Sequence, residues 1–202
     1  MAQARNVVGM EVVGPGTWDC SACWRGKQMH STIPHQTEEH STEVLGCVFS
    51  DLCRPMDTPS SEGFCYFITF TDDFSHYTHV GFCKSKDNAL NVLKVWQAWA
   101  EKETEKSLKI FWTNGGGEYT SKAFNAYLDE HGISWETTNA YTPQENGVAE
   151  CVNWTINNLA QSMFADAKET LKAKSLPPNL WPQAIWHAVW IKNHIITSSL
   201  NS

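Results

Sequence analysis

The chain has 202 residues with 42% apolar and 12% aromatic content, the composition of one folded domain with a small appendage rather than of a disordered chain. No apolar run approaches the roughly 20 residues needed to cross a bilayer, and the opening MAQARNVVGMEVV lacks the long apolar stretch of a secretory signal, so no membrane and a reducing, intracellular location are expected. There the seven cysteines read as thiols or metal ligands rather than disulfides, while a net charge of −7 argues against a broadly basic surface and leaves only a local patch for phosphates.

Residues 1–19, rich in Gly and Val, read as an edge strand or loop, and residues 20–42 as a polar linker or arm carrying Cys20 and Cys23; a boundary after residue 42 sets this appendage apart from a core over 43–202. The core opens on the apolar run VLGCVFSDLC, 44–53, closed by Pro55 because proline cannot continue a central strand. FCYFITFTDD, 64–73, and YTHVGFC, 77–83, follow across short connections and predict an antiparallel meander with the first run. Residues 86–106 predict a helix with Leu90, Val92, Leu93, Val95, Trp96 and Trp99 as its apolar stripe. LKIFWT, 108–113, is a fourth strand cut off by Gly115, Gly116 and Gly117. A helix over 121–132 runs from an N-cap at Ser121 to a stop at Gly132, with Phe124, Tyr127 and Leu128 facing inward, and ISWETT, 133–138, is a fifth strand. After Pro143 a long helix is expected to bury Val148, Val152, Thr155, Leu159 and Met163; beyond a proline-broken connection at 174–179, a last helix buries Trp181, Ala184, Ile185, Ala188 and Val189. The order β-β-β-α-β-α-β-α-α predicts an α/β fold, a mixed five-stranded sheet flanked by helices.

Three polar positions stand out by where they fall. Asp51 ends the first strand, Asn114 directly follows the fourth, and Glu150 lies near the start of the long helix. In a mixed sheet the first and fourth strands can be neighbours, which would bring all three to one edge. Carboxylates gathered at strand ends suit Mg²⁺ or Mn²⁺, which take oxygen ligands and keep several waters, and two such ions drive phosphoryl transfer. Taken singly, an Asp at a strand end is a turn residue and a Glu in a first helical turn complements the helix dipole.

The segments SDLCRPM, YFITFTDDFSHYTHVGFCKSK, TNGGGEYTSKAF and AYTPQENGVAE resemble the integrase core of copia-type LTR retrotransposons. That family carries an Asp on the first strand, an Asp-Asn-Gly-Gly-Glu-Tyr segment after the fourth, and Pro-Gln-x-Asn-Gly-Val-Ala-Glu opening a helix. The likeness runs from about Cys20 to the C-terminus, and the 35 residues between Asn114 and Glu150 match the family's spacing between its second and third acids. It implies an RNase H-like fold and a polynucleotidyl transferase that uses Mg²⁺ or Mn²⁺ to join element ends to target DNA, in the nucleus if functional. Oligomers of the chain with itself are compatible with it.

Carried over residue by residue, the catalytic and metal positions are Asp51, Asn114 and Glu150, and the middle one is an amide where the family has an acid. A neutral oxygen weakens a site built for hard dications and a reaction that is nearly all electrostatics, so impaired catalysis is expected. Glu118 matches a common family glutamate and is not expected to substitute; Asp72 and Asp73 read as turn acids. On the helix of Glu150, Asn146, Asn153, Trp154 and Asn157 are the residues expected to meet DNA, with Gln161 on the same side, and none is charged. The family usually begins this helix Glu-Arg-x-Asn-Arg-Thr, so Cys151 and Trp154 replace two phosphate-binding arginines. His76, His194 and Arg54 stand where the family has Arg, Arg and Gly, and Trp112 where a basic residue is common. Substitutions of this kind each follow from one C-to-T change on either strand, the pattern of a decayed element copy. Cys20 and Cys23 match the second half of a His-His-Cys-Cys zinc module, followed by Gly26-Lys27; no histidine precedes them, so this is a zinc-finger remnant and zinc is not expected. His30, His35 and His40 read as solvated loop residues, and Cys47, Cys53, Cys65, Cys83 and Cys151 as small packed hydrophobes. The alternative to an integrase is a non-catalytic DNA- or protein-binding module on the same fold.

Overall fold

A computed structural model describes residues 40–53, 55–137, 147–170 and 177–195. Cys20, Cys23, Arg54 and Asn146 lie outside the described residues, as does nearly all of the appendage proposed over 1–42.

Five strands form one sheet: β1 (Cys47–Leu52), β2 (Tyr66–Asp72), β3 (Thr78–Cys83), β4 (Ile110–Thr113) and β5 (Ser134–Thr137). Their order across the sheet is β3-β2-β1-β4-β5. The meander expected from the sequence pairs β1 with β2 and β2 with β3 antiparallel, with Asp51 opposite Thr69 and Thr69 opposite Val80. β4 and β5 then add in parallel, Ser50 facing Thr113 and Thr113 facing Thr137. Four α-helices lie among the described residues: α1 (Ala89–Thr104), α2 (Lys122–Glu130), α3 (Gly147–Thr170) and α4 (Trp181–His194). The helix expected over 86–106 opens instead as a 3-10 turn, Lys86–Asn88.

Helices cover both faces of the sheet, which is why β2 reads as an unbroken apolar run rather than an alternation. On one face Val48, Leu52, Ile68, Phe70 and Phe111 pack against Leu93, Trp96 and Ala100 of α1 and Phe124 and Leu128 of α2. Phe70 stacks on Trp96 with ring centroids 4.3 Å apart. On the other face Phe67 and Val80 meet Ile156 and Ala160 of α3 and Trp181, Ile185, Ala188 and Val189 of α4.

Two helices are rotated from the expected faces. In α1, Val95 is 74% and Trp99 44% exposed, while Ala89, Gln97 and Ala100 are buried. A Cβ on Gly81 of β3 would sit 2.2 Å from Val92 Cγ1, so α1 comes close to the sheet where that strand has no side chain. Gln97 is tolerated inside because it donates to Glu101 Oε1 (3.0 Å) and accepts from Tyr127 Oη (3.0 Å). In α3 the buried line is Ala149, Asn153, Ile156 and Ala160; Val152, Leu159 and Met163 flank it, and Val148 is exposed. Small residues again face the sheet, and Asn153 is drawn in by a polar partner described below.

Asp72 and Asp73 serve the fold as turn acids. Asp72 accepts from Leu45 N (2.8 Å), Ser75 N (2.8 Å) and Ser75 Oγ (2.6 Å); Asp73 accepts from Ser41 N (2.6 Å) and pairs with His40 Nδ1 (2.9 Å). At the far edge, α4 grips the first residue of β3. Asn193 accepts from Thr78 N (3.0 Å) and donates to Thr78 O (2.7 Å), while Lys192 Nζ donates to Thr78 Oγ1 (2.8 Å) and to the His76 carbonyl. Burial pulls the Lys192 amine down to about 8. Cysteine packing is uneven: Cys83 is buried, Cys47, Cys53 and Cys65 are half-buried, and Cys151 is exposed rather than packed.

Ser121 caps α2 as expected, its side chain accepting from Phe124 N (3.2 Å). Ser121→Ala is expected to lower stability by about 1 kcal/mol, and Phe124→Ala, which empties the core behind β4, by about 3–5 kcal/mol. Urea denaturation of the two variants checks the ranking.

Candidate functional site

The parallel pairing of β1 with β4 brings Asp51 and Asn114 to the same end of adjacent central strands. Asn114 Nδ2 lies 3.0 Å from Asp51 Oδ1. The second carboxylate oxygen, Asp51 Oδ2, accepts from Asn153 Nδ2 at 2.8 Å. Asn153 is 6% exposed, and its own Oδ1 accepts from Thr69 Oγ1 at 3.0 Å. Asp51 therefore sits between two amide donors, one on the loop after β4 and one on α3, the latter fixed by a buried hydroxyl of β2.

The local chain explains the Asn114 orientation. Gly115 has φ +69°, a conformation that costs glycine nothing, and the turn it makes brings Gly116 N to Asn114 Oδ1 at 2.9 Å. This is an Asx turn. Flipping the amide would set an oxygen against the Asp51 carboxylate and an NH₂ against the Gly116 N–H, so the hydrogen-bond network fixes nitrogen toward Asp51.

Burial, the largest effect, pushes the Asp51 carboxyl above its ordinary value of 3.8; the Asn153 hydrogen bond pulls it down, and the charges of Glu150 and Glu118 push it up again. Both acids thus lie near Asp51. Glu150 is exposed in the first turn of α3. The Glu118 side chain is 6% exposed and lies 3.7 Å from Lys86 Nζ. Its carboxylate also fills the space beside Gly116, where a Cβ would lie 2.6 Å from Glu118 Oε1. Beneath the site, buried Tyr119 shares a hydrogen bond with Ser50 Oγ (3.2 Å).

Of the residues expected to meet DNA, Trp154 is 69% exposed. Asn157 is half-buried and donates to Asn153 O (2.9 Å) and Cys53 Sγ (3.6 Å). Asn153 is not on the solvent face at all: its amide belongs to Asp51. Sequence reading placed Asn153 on the correct side of the helix, three residues after Glu150, and missed that this side turns inward at that point. Thr69 was missed altogether. Its signal is the register, since it lies directly opposite Asp51, and a register between two apolar runs cannot be read from either run alone.

Residues 41–143 match the Integrase core domain family. The chain belongs to that family. This integrase core is 39% identical over 174 residues to the retrovirus-related Pol polyprotein from transposon TNT 1-94 of Nicotiana tabacum, a match that covers 86% of the chain and 12% of the polyprotein. It is 26% identical over 183 residues to the corresponding polyprotein from transposon RE2 of Arabidopsis thaliana, covering 90% of the chain and again 12% of the relative. The chain thus spans a small part of these relatives. Among solved structures, it superposes on a chain of the simian T-cell lymphotropic virus intasome, determined in complex with PP2A regulatory subunit B56 gamma, with a TM-score of 0.64 at 20% identity, covering 89% of this chain and 59% of that one. The magnesium-bound catalytic core domain of HTLV-2 integrase gives a TM-score of 0.51 at 20% identity, over 76% of this chain and 90% of that one. The copia-type retrotransposon character read from the motifs and the RNase H-like α/β fold both stand.

The dications that the resemblance implies do not fit the groups present at this edge. Among the described residues, no three of His, Cys, Asp and Glu converge to hold a metal ion. A shared dication would need oxygens from both Asp51 and residue 114; here the Asn114 nitrogen points at Asp51 and its oxygen turns toward Gly116 N–H.

Because burial raises the Asp51 midpoint, the fold favours its protonated form. That contribution is fully present below the unfolded value of 3.8 and is lost as pH rises through the higher folded value. Carboxyl-carbon NMR should place the Asp51 midpoint above 3.8, and Asn153→Ala, which removes the hydrogen bond that favours the anion, should move it higher still. A midpoint unmoved by Asn153→Ala would contradict the clamp.

Proposed function

We propose that this chain is the core of a copia-type retrotransposon integrase, descended from an enzyme that integrates DNA by divalent-metal-dependent strand transfer, and that its own catalysis is impaired at residue 114. Asp51, Asn114 and Glu150 are the positions that carry the reaction in this reading. The single observation that supports it most is the hydrogen bond from Asn114 Nδ2 to Asp51 Oδ1 at 3.0 Å, a neutral donor at the position where the resemblance has the second acid. Element ends and target DNA are the ligands. Oligomers of the chain with itself, and a nuclear location when active, accompany the same reading, and 1–42 is proposed as the remnant of a zinc-finger module.

With an amide donating to each of its oxygens, the Asp51 carboxylate is held in place by hydrogen bonds. What the residues can still do is bind. Trp154 offers a ring to an unpaired base, and the uncharged side of α3 makes few phosphate contacts, so DNA binding should be weak and only shallowly dependent on salt. That arrangement equally favours the second reading, a non-catalytic DNA- or protein-binding module, and it specifically favours it over an active enzyme.

One experiment separates the readings. Asn114→Asp is expected to strengthen Mn²⁺ binding at least about tenfold, since changes in mere supporting groups of metal sites already cost 10–100-fold, and to confer strand transfer on labelled element-end DNA. The parent protein should be inactive with either Mg²⁺ or Mn²⁺. Equal Mn²⁺ affinity in the two proteins would show that the amide ligates adequately. Inactivity of Asn114→Asp despite tight Mn²⁺ binding would leave the non-catalytic module as the better description.

A further inference from the structure

A cavity of about 230 Å³ opens between the loop that joins β1 to β2 and the start of α4. Its walls include the rings of Phe64, Phe82 and Trp186; its polar groups include Ser61, Gln183 and Glu62, the last being the one charged residue among the described residues that line it. Phe64 and Phe82 lie 5.8 Å apart, tilted by 34°. Trp186 leaves 59% of its surface in water although Trp181 and Ile185 beside it are buried. None of these groups takes part in the edge that holds Asp51.

The walls are built before any ligand arrives. Ser60, itself buried, accepts the backbone N–H groups of Glu62 (3.2 Å) and Phe64 (3.0 Å) on its hydroxyl and donates its own N–H to Phe64 O (2.8 Å). The Trp181 indole donates to Thr58 O (3.0 Å), tying the same loop to α4. A loop held this way loses little freedom on binding.

Size and charge choose the guest. The cavity is smaller than the roughly 300–1,000 Å³ of small-molecule sites, so it takes one side chain rather than a nucleotide. Aromatic faces carry negative potential and attract cations, and Glu62 adds a full negative charge at the wall. Lys84 comes within 4.0 Å of the Cβ position of Gly63 in the same loop, yet it does not line the cavity. A planar guanidinium uses such a site better than an ammonium, since it can stack on an indole while donating sideways to a carboxylate and an amide oxygen. We propose that this cavity is a docking site for an arginine side chain of a basic partner peptide, with Trp186 as the stacking surface and Glu62 as the counter-charge. The chain's net charge of −7 draws such a peptide in.

The test is an NMR titration of the ¹⁵N-labelled chain, following the Trp186 indole N–H, which is identified by its loss in Trp186→Phe. The probes are N-acetyl-arginine N-methylamide and its neutral isostere, the citrulline compound. The arginine compound should shift the Trp186 resonance saturably. The citrulline compound, and the arginine compound with Glu62→Gln, should each bind about tenfold more weakly. Glu62 is exposed on the loop, so its variant should keep the remaining spectrum unchanged. Equal binding of the two compounds, indifference to Glu62→Gln, or no shift at Trp186 with probe on the order of tens of millimolar would each overturn the proposal.

Discussion

The parallel pairing of β1 with β4 is the constraint on which the rest hangs. β1 is the centre of the sheet, antiparallel to β2 on one side and parallel to β4 on the other. A parallel neighbour aligns the C-terminal ends of two strands, so whatever follows β4 must emerge beside whatever ends β1. Burial on both faces then fixes the register, because a slip by one residue would turn Val48, Ser50 and Leu52 out of their core and Asp51 into it. The meeting of Asp51 with residue 114 is thus a property of the fold, independent of what residue 114 is.

What residue 114 is decides the chemistry. Two carboxylates this close would repel and favour a cation or a proton between them. An amide removes that demand. Its nitrogen supplies a hydrogen where a cation would supply charge, and its oxygen is occupied by the turn that Gly115 permits. With Asn153 on the other oxygen, the Asp51 carboxylate is satisfied by hydrogen bonds alone.

Much of this was legible in the sequence, for identifiable reasons. The order of elements followed from apolar periods and from stops such as Pro55 and Gly132. Asp51, Asn114 and Glu150 could be placed because each sits at the boundary of an element, where its position depends little on details of packing. What was not legible turned on close approach and on register. Val95 and Trp99 look like core residues by period alone, yet Ala89 and Ala100 are the ones buried, and the close approach of Val92 to Gly81 is not visible in either segment by itself. Asn153 looked like a surface residue because its reason for being buried is a partner on another element, and Thr69 carries no signal of its own before the β1–β2 register is known.

The grip of Asn193 on Thr78 has a consequence for how the molecule behaves in company. β3 is an edge strand, and an edge strand offers unpaired backbone groups to any other extended chain. The Asn193 amide meets both backbone groups of Thr78, accepting from its N–H and donating to its carbonyl, as the peptide group of a sixth strand would. Lys192 closes over the same spot from the next position along α4. One position of this edge is thereby occupied from within by a side chain more than a hundred residues away in sequence, so the last described helix takes up backbone groups that a strand adding there would use.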